Sequence, residues 1–437
     1  MFSVFCLDNN KCQCGKEHVM PTSKVICGNN VLEKIIDVIN EYNCKKIFVL
    51  SDKNTFSACA HKVLKIFDNN QIKYTSYCFD KDFLEPDENS VGSAIMHFDY
   101  ECDLVVSVGS GVINDIGKIL SATAKLPYVI IGTAPSMDGF ASATSSMTCD
   151  GLKISLPSKC ADVIIGDIEI MKNAPMYMLK AGLGDMLAKY VSICEWRISN
   201  IITGEYYCEK TAQIVRHALK KCIDNASGLL ERKNDAVKAV FEGLVLCGAA
   251  MAFAGASRPA SGVEHYLSHV WDMRAITFNT PMDLHGIQCA LGTYITCKIY
   301  HKIKDVKIDK QRAIDYVNSF NYNEYKKFLN NFLGRASISM IELENKEQKY
   351  NVESHKKRLN IIIEKWQQIL EVINQEIPDM QTIDNLFDSI GLPKHLSQIG
   401  LDDAILKDTF VATKDIRDKY VLSRLVWDLG LIDTILN

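Results

Sequence analysis

Short runs rich in Val and Ile alternate with amphipathic stretches through the first part of the chain. KKIFVLSD is followed by a helical pattern from Phe56 to Phe67, then IKYTSYCF, DLVVSVGSG, VINDIGKILSATA, PYVIIGTAP and DVIIGDIEIM. Short apolar runs alternating with amphipathic ones are the signature of parallel strands joined by crossover helices. Near-continuous apolar runs such as LVVSV and YVIIG fit a sheet covered on both faces. From about Ala174 onward strand patterns stop and long helical ones take over. The expectation is an α/β domain with a parallel sheet over 1–172, then an all-helical domain over 173–437.

A chain of 437 residues exceeds what one core fills, which agrees with two domains. Its 49 basic and 53 acidic residues carry a formal charge of -4 with no long run of one sign, so a nucleic-acid partner is not expected. The opening MFSVFCLDNNKCQCGK lacks a basic stretch followed by a long apolar one, and no later segment reads as a bilayer crossing; the expectation is a cytoplasmic protein without a membrane partner. Lys304 to Met380, rich in Lys, Asn and Glu around spaced apolar residues, reads as an exposed helical hairpin. Most of the 16 cysteines stand singly in apolar segments, where a thiol acts as a small hydrophobe. Cys6, Cys12, Cys14 and His18 form the exception, a cluster able in principle to hold zinc but without paired CxxC spacing.

DLVVSVGSGVINDIGK places Gly109, Ser110 and Gly111 between a strand and a helix. Glycines there let the backbone turn tightly and approach a pyrophosphate, whose charge meets the N–H groups at the helix start. The three-glycine dinucleotide fingerprint is absent, since Asn114 stands at its last position, and such a turn can also be purely structural. Two more strand ends add context: Asp52 in LSDKNT could accept from ribose hydroxyls, and GTAPSMDGFASATSS carries Thr133, Ser136, Asp138 and Ser142. Each could equally be a cap or turn former. Together, three loops at the carboxyl edge of an open sheet favour a dinucleotide.

In the helical half, AGLGDMLAKYVSICEW puts Asp185 on a mostly apolar helix, where an unpaired carboxylate is costly; it needs a cation, either Lys189 or a metal. SRPASGVEHYLSHVWDM sets His265 and His269 one turn apart, and MDLHGIQCALGT adds His285. Imidazoles with a carboxylate suit zinc, nickel or iron and leave coordination positions open, as catalysis requires. Against this, Glu264 precedes His265, so the HExxH pattern is absent, and a helical histidine pair can be hydrogen-bonded structure alone.

GSGVINDIGK, TAPSMDGFAS, GLGDMLAKY, SRPASGVEHYLSH, DLHG and the C-terminal IRDKYVLSRLVWDLGL, in order over nearly the whole chain, resemble sn-glycerol-1-phosphate dehydrogenases, especially the bacterial type. These lie within the superfamily of iron-type alcohol dehydrogenases, glycerol dehydrogenases and dehydroquinate synthases. The resemblance implies a nucleotide-binding domain, a helical domain and a divalent ion (zinc, nickel or iron) held between them. It implies Asp185, His265 and His285 as metal ligands and catalytic residues, with His269 a catalytic and substrate contact and Asp138 and Asp185 touching substrate. It places NAD(H) or NADP(H) on Gly109, Ser110, Gly111, Val112, Ile113, Thr133, Ser136 and Ser142, with Asp52 at the adenosine ribose. The implied reaction is reversible reduction of dihydroxyacetone phosphate to sn-glycerol 1-phosphate, the metal polarising the C2 oxygen. Arg258, near the helix starting around Ser261, is then a candidate for the substrate phosphate, and a homodimer follows by analogy. Three readings compete: a glycerol dehydrogenase, a dehydroquinate synthase, and a non-catalytic zinc or redox-sensing protein built on the N-terminal cysteines. The long helical segment after His301 and the cysteine-rich start depart from the shorter archaeal members.

Overall fold

The computed structural model describes residues 12–150 and 152–436. Among the described residues eight strands form: β1 (Lys24–Gly28), β2 (Lys46–Asp52), β3 (Lys73–Phe79), β4 (Leu104–Gly109), β5 (Tyr128–Gly132), β6 (Thr144–Cys149), β7 (Leu152–Pro157) and β8 (Val163–Asp167). Six make one sheet in the order β1-β8-β5-β4-β2-β3, with every pairing parallel. The central β4, β5 and β8 are buried at every residue, which is why their sequences are almost continuously apolar. β1 and β3, at the two edges, are largely half-buried or exposed and carry more polar residues. The chain steps outward from β2 to β3 and returns to the other side of β2 as β4, so the topological switch falls between β2 and β4.

β6 and β7 form a separate antiparallel hairpin that the apolar patterning did not reveal, because TSSMTC is mostly small and polar. β1 was missed for a similar reason: KVICG is short and lies at an edge, where burial demands less apolar character.

After β8 the described chain is helical. It divides into two compact units, Met1–Met186 with Lys210–Ser257, and Leu187–Glu209 with Arg258–Asn437. A single cut near Lys172 therefore marks the end of the strands, whereas the units interleave along the chain. The helix Asn234–Ala254 groups with the sheet, its Phe241 ring lying against Gly166 of β8, and most of the helix Met176–Leu187 does so through Gly182 against Pro135 in the loop after β5. Asn234–Ala254 is long and apolar enough to cross a bilayer by composition, which the sequence reading had not noted; 83% of its most apolar window is buried inside the protein. The Phe241 ring on this helix packs edge-on against Phe140 with centroids 5.4 Å apart.

In the second unit, the segment Lys304–Met380 is not a hairpin but five helices: Lys310–Asn318, Tyr322–Leu333, Ser337–Glu347, Val352–Glu364 and Trp366–Glu376. Each turns one apolar row inward, as with the fully buried Leu359, Ile362, Ile369 and Ile373, while the charged faces stay outside. Gln348, in the left-handed region at φ 51°, closes the third of these helices and breaks the pattern that read as continuous.

Candidate functional site

In the first unit the carboxyl ends of β2, β4 and β5 are neighbours, so the loops carrying Asp52, Gly109–Ile113 and Thr133–Ser142 meet at one edge. The Thr133 N–H donates to the Gly109 carbonyl at 3.0 Å. Ser110 stands at the cap position of the helix Gly111–Ala124, yet its hydroxyl donates to the Ala134 carbonyl (3.0 Å) and lies 2.6 Å from Ser136 Oγ. No side chain caps this helix, so its first-turn N–H groups keep their capacity for an anion. Asp52 instead caps Lys53–Thr55, accepting from the Thr55 N–H at 2.8 Å, and its own N–H donates to Thr55 Oγ1. Ser142 is turned inward, donating to the Thr144 carbonyl at 2.9 Å.

A methyl group built on Gly111 would meet only Met137 Cγ, at 3.5 Å, an ordinary contact. The protein alone therefore leaves room beside the turn, the space a pyrophosphate needs. Gly111→Val should accordingly fold and keep its metal while raising the Michaelis constant for the dinucleotide by on the order of tenfold or more. Titration of the cofactor by fluorescence checks this; an unchanged constant would make the turn purely structural.

The loop after β5 is held from two sides. Lys118, fully buried, donates through Nζ to the carbonyls of Gly139 (2.6 Å) and Thr144 (3.0 Å) and to Ser142 Oγ (3.3 Å). From the helix Met176–Leu187, Gly182 presses so closely that a Cβ there would lie 1.7 Å from the Pro135 carbonyl oxygen. One turn on, the fully buried Asp185 accepts the Asp138 N–H at 2.9 Å through Oδ2. Asp138 and Asp185, named separately in the sequence, are thus joined directly.

In the second unit the helices Val263–Phe278 and His285–Lys304 pack together and bring three histidines into one cluster. The His265 and His285 ring centroids are 5.1 Å apart, and His269 lies 6.0 Å from His285. Two neighbours settle the ring tautomers. His265 Nδ1 is 2.8 Å from Glu264 Oε1, a carboxylate that only accepts, so Nδ1 carries the proton. Ser268 spends its one hydroxyl proton on Gln288 Oε1 (2.6 Å), so at 3.1 Å it accepts from His285 Nδ1. Both imidazoles therefore carry their lone pair on Nε2, the state a divalent ion requires. The donor set fits a metal on this ground. Cys289, one turn after His285, has Sγ 3.4 Å from His285 Nε2.

Ser268, Gln288 and Cys289 were not singled out in the sequence, and Glu264 was noted only for breaking the HExxH pattern, although each stands within the histidine motifs at adjacent or helical spacing. Glu195 was missed for want of any motif. It is buried and accepts the N–H groups of Val263 (3.0 Å) and Leu422 (2.8 Å). Its carboxylate and that of Glu264 each come within 2.7 Å of where a Cβ on Gly262 would sit, so only glycine fits there. Burial first, and the Glu264 charge second, push the Glu195 carboxyl up to about 8 from 4.5. Between those values the folded chain holds a proton the unfolded chain has lost, so this contribution to stability falls as pH rises from 4.5 to about 8. Glu195→Gln should flatten that part of the melting-temperature profile; an unaltered slope in differential scanning fluorimetry would refute the assignment.

Arg258 does not serve as an available phosphate ligand. It is buried, with Nε and Nη2 donating to the two oxygens of Glu205 (2.7 and 2.5 Å), Nη2 to Ser199 Oγ and Nη1 to the Tyr420 carbonyl. A guanidinium so engaged ties the second unit together. Of the N-terminal cluster, Cys6 lies outside the described residues. Cys14 Sγ is 3.3 Å from His18 Nε2, and His18 Nδ1 is 3.3 Å from the Phe253 carbonyl. No cysteine among the described residues is in a disulfide.

A family model described as iron-containing alcohol dehydrogenase matches residues 26–175. Among solved structures, glycerol dehydrogenase from Schizosaccharomyces pombe superposes with a TM-score of 0.61 at 16% identity, covering 96% of this chain and 91% of that one. An iron-containing alcohol dehydrogenase from Corynebacterium glutamicum gives 0.56 at 18%, covering 96% of each. The fold is that of the iron-containing alcohol dehydrogenases. Relatives named glycerol-1-phosphate dehydrogenase [NAD(P)+] narrow this: one from Halalkalibacterium halodurans is 26% identical over 94% of both chains, one from Bacillus subtilis 30% identical over 64% of this chain and 72% of its own, and one from Methanosarcina mazei 30% identical over 62% and 74%. The chain belongs to the glycerol-1-phosphate dehydrogenase family, and it is an oxidoreductase.

Proposed function

We propose that this protein reduces dihydroxyacetone phosphate to sn-glycerol 1-phosphate with NADH or NADPH, reversibly. The observation that carries the reading is the pairing of His265 and His285, each with Nδ1 engaged and Nε2 carrying its lone pair, in a chain similar along 94% of its length to a glycerol-1-phosphate dehydrogenase. His265, His285 and Asp185 hold a divalent ion; zinc, nickel and iron all suit imidazole with carboxylate. Such an ion supplies Lewis-acid polarisation of a ketone, so that no strong protein acid is needed. Glu264 and Ser268 orient the two imidazoles. His269, half-buried beside His285, contacts the substrate or passes a proton through water. The helix start at Gly111 and the hydroxyls of Ser110 and Ser136 line the dinucleotide pyrophosphate, with Thr133 beside them.

NAD(P)H oxidation followed at the nicotinamide absorbance tests this. Dihydroxyacetone phosphate should be turned over at least tenfold more efficiently than dihydroxyacetone, because a site built for a phosphate loses its charged partner with the unphosphorylated ketone. Preference for dihydroxyacetone would instead support a glycerol dehydrogenase.

A further inference from the structure

We propose that Cys289 is a thiolate ligand to the divalent ion, so that His265, His285 and Cys289 form a three-donor set within the second unit. The inference rests on the metal-dependent reading above and names the donor that decides which ion is held.

Geometry supports it. The ligand atoms of His265, His285 and Cys289 all lie within 4.8 Å of one another. His285 and Cys289 are four residues apart on one helix, the spacing that stacks two side chains on the same face. Zinc–sulfur and zinc–nitrogen bonds meeting at a tetrahedral angle hold S and N about 3.6 Å apart. Cys289 Sγ and His285 Nε2 stand 3.4 Å apart. The nearer ring nitrogen is Nε2, the same atom that the Ser268 contact leaves with its lone pair, while Nδ1 is 3.9 Å away. Cys289 is fully buried, and the two histidines are buried and half-buried, so an ion there would be held largely away from water.

Binding requires the thiol to lose its proton to solvent as the metal–sulfur bond forms, with no change of oxidation state. A soft thiolate beside two imidazoles favours zinc, cobalt or nickel over magnesium and manganese, which prefer carboxylate, carbonyl and water oxygens. With Asp185 these make four protein donors, so a substrate oxygen would enter as a fifth ligand, an expansion that catalytic zinc sites allow.

The test uses full-length protein stripped of metal with a chelator and given one equivalent of cobalt(II). Wild type should show a thiolate-to-cobalt charge-transfer band in the near ultraviolet, and Cys289→Ser should lose it and bind cobalt on the order of tenfold or more weakly. A band that persists undiminished in Cys289→Ser assigns the sulfur to another residue, such as Cys12 or Cys14, and overturns the proposal. Should Cys289→Ser fail to fold, X-ray absorption of the zinc-loaded Cys12→Ser/Cys14→Ser protein decides: one sulfur at about 2.3 Å per zinc is expected, and nitrogen and oxygen alone refute it. The two readings separate cleanly, since turnover of dihydroxyacetone phosphate without a sulfur signature sinks only the thiolate, and a sulfur signature without turnover sinks only the proposed reaction.

Discussion

His265→Ala should lose the divalent ion and the turnover together. The variant removes an imidazole whose Nδ1 is pinned by Glu264 and whose Nε2 is thereby the donor. Asp185→Ala should behave alike, by deleting the fully buried carboxylate that accepts the Asp138 N–H. Loss of a hydrogen bond that merely supports a ligand costs roughly 10–100-fold in metal affinity or activity, which is the expectation for Ser268→Ala; loss of a ligand itself should exceed it. Metal content by mass spectrometry, read beside NAD(P)H oxidation, checks both. A His265→Ala protein with one ion per chain and full turnover would exclude the ligand assignment.

Lys118→Met should unfold the dinucleotide edge without touching any group proposed to react. Its ammonium is fully buried and donates to two backbone carbonyls and a hydroxyl, with Asp115 Oδ1 3.5 Å away. Methionine fills much of the volume but leaves the Gly139 and Thr144 carbonyls without this donor and Asp115 without its nearest cation. Burial already raises the Asp115 carboxyl above its usual value, the Lys118 charge being the largest effect opposing it. Removing one partner of a buried charge pair costs about 3–5 kcal/mol. In a unit of this size that lowers the melting temperature by about 10 °C. The same variant should weaken dinucleotide binding, because Gly139 follows Met137 and Asp138 in the loop facing the Gly111 turn. Scanning calorimetry with and without NADH measures both effects, and a melting temperature within about 2 °C of wild type would show that the ammonium is dispensable.

The parallel sheet was legible because β4, β5 and β8 are buried on both faces, and burial on both faces makes their sequences apolar almost throughout. The same rule hid β1 and the β6–β7 hairpin, which are less completely buried and admit Lys, Ser and Thr. Of the candidate site, the glycine turn and the histidine pair could be read because their residue types are chemically distinctive. Lys118 could not, since a lysine seven residues past a glycine turn looks like any solvated helix residue until Gly139 and Thr144 fold over it. Arg258 misled in the opposite direction: a lone arginine near a helix start suggests an anion, but Glu205 occupies it.

The sequence by itself determined the class of fold, the edge of the sheet where a nucleotide would lie and the residue types available for a metal. These follow from local periodicity and side-chain chemistry, which each segment carries wherever it is placed. Only the tertiary structure decided which nitrogen of each histidine bears the proton, that Asp138 and Asp185 are bonded, and that Cys289 joins His265 and His285. Those outcomes depend on distances between residues remote in sequence or on how two helices pack, and the packing energy that sets them is shared among many side chains rather than written into any one motif.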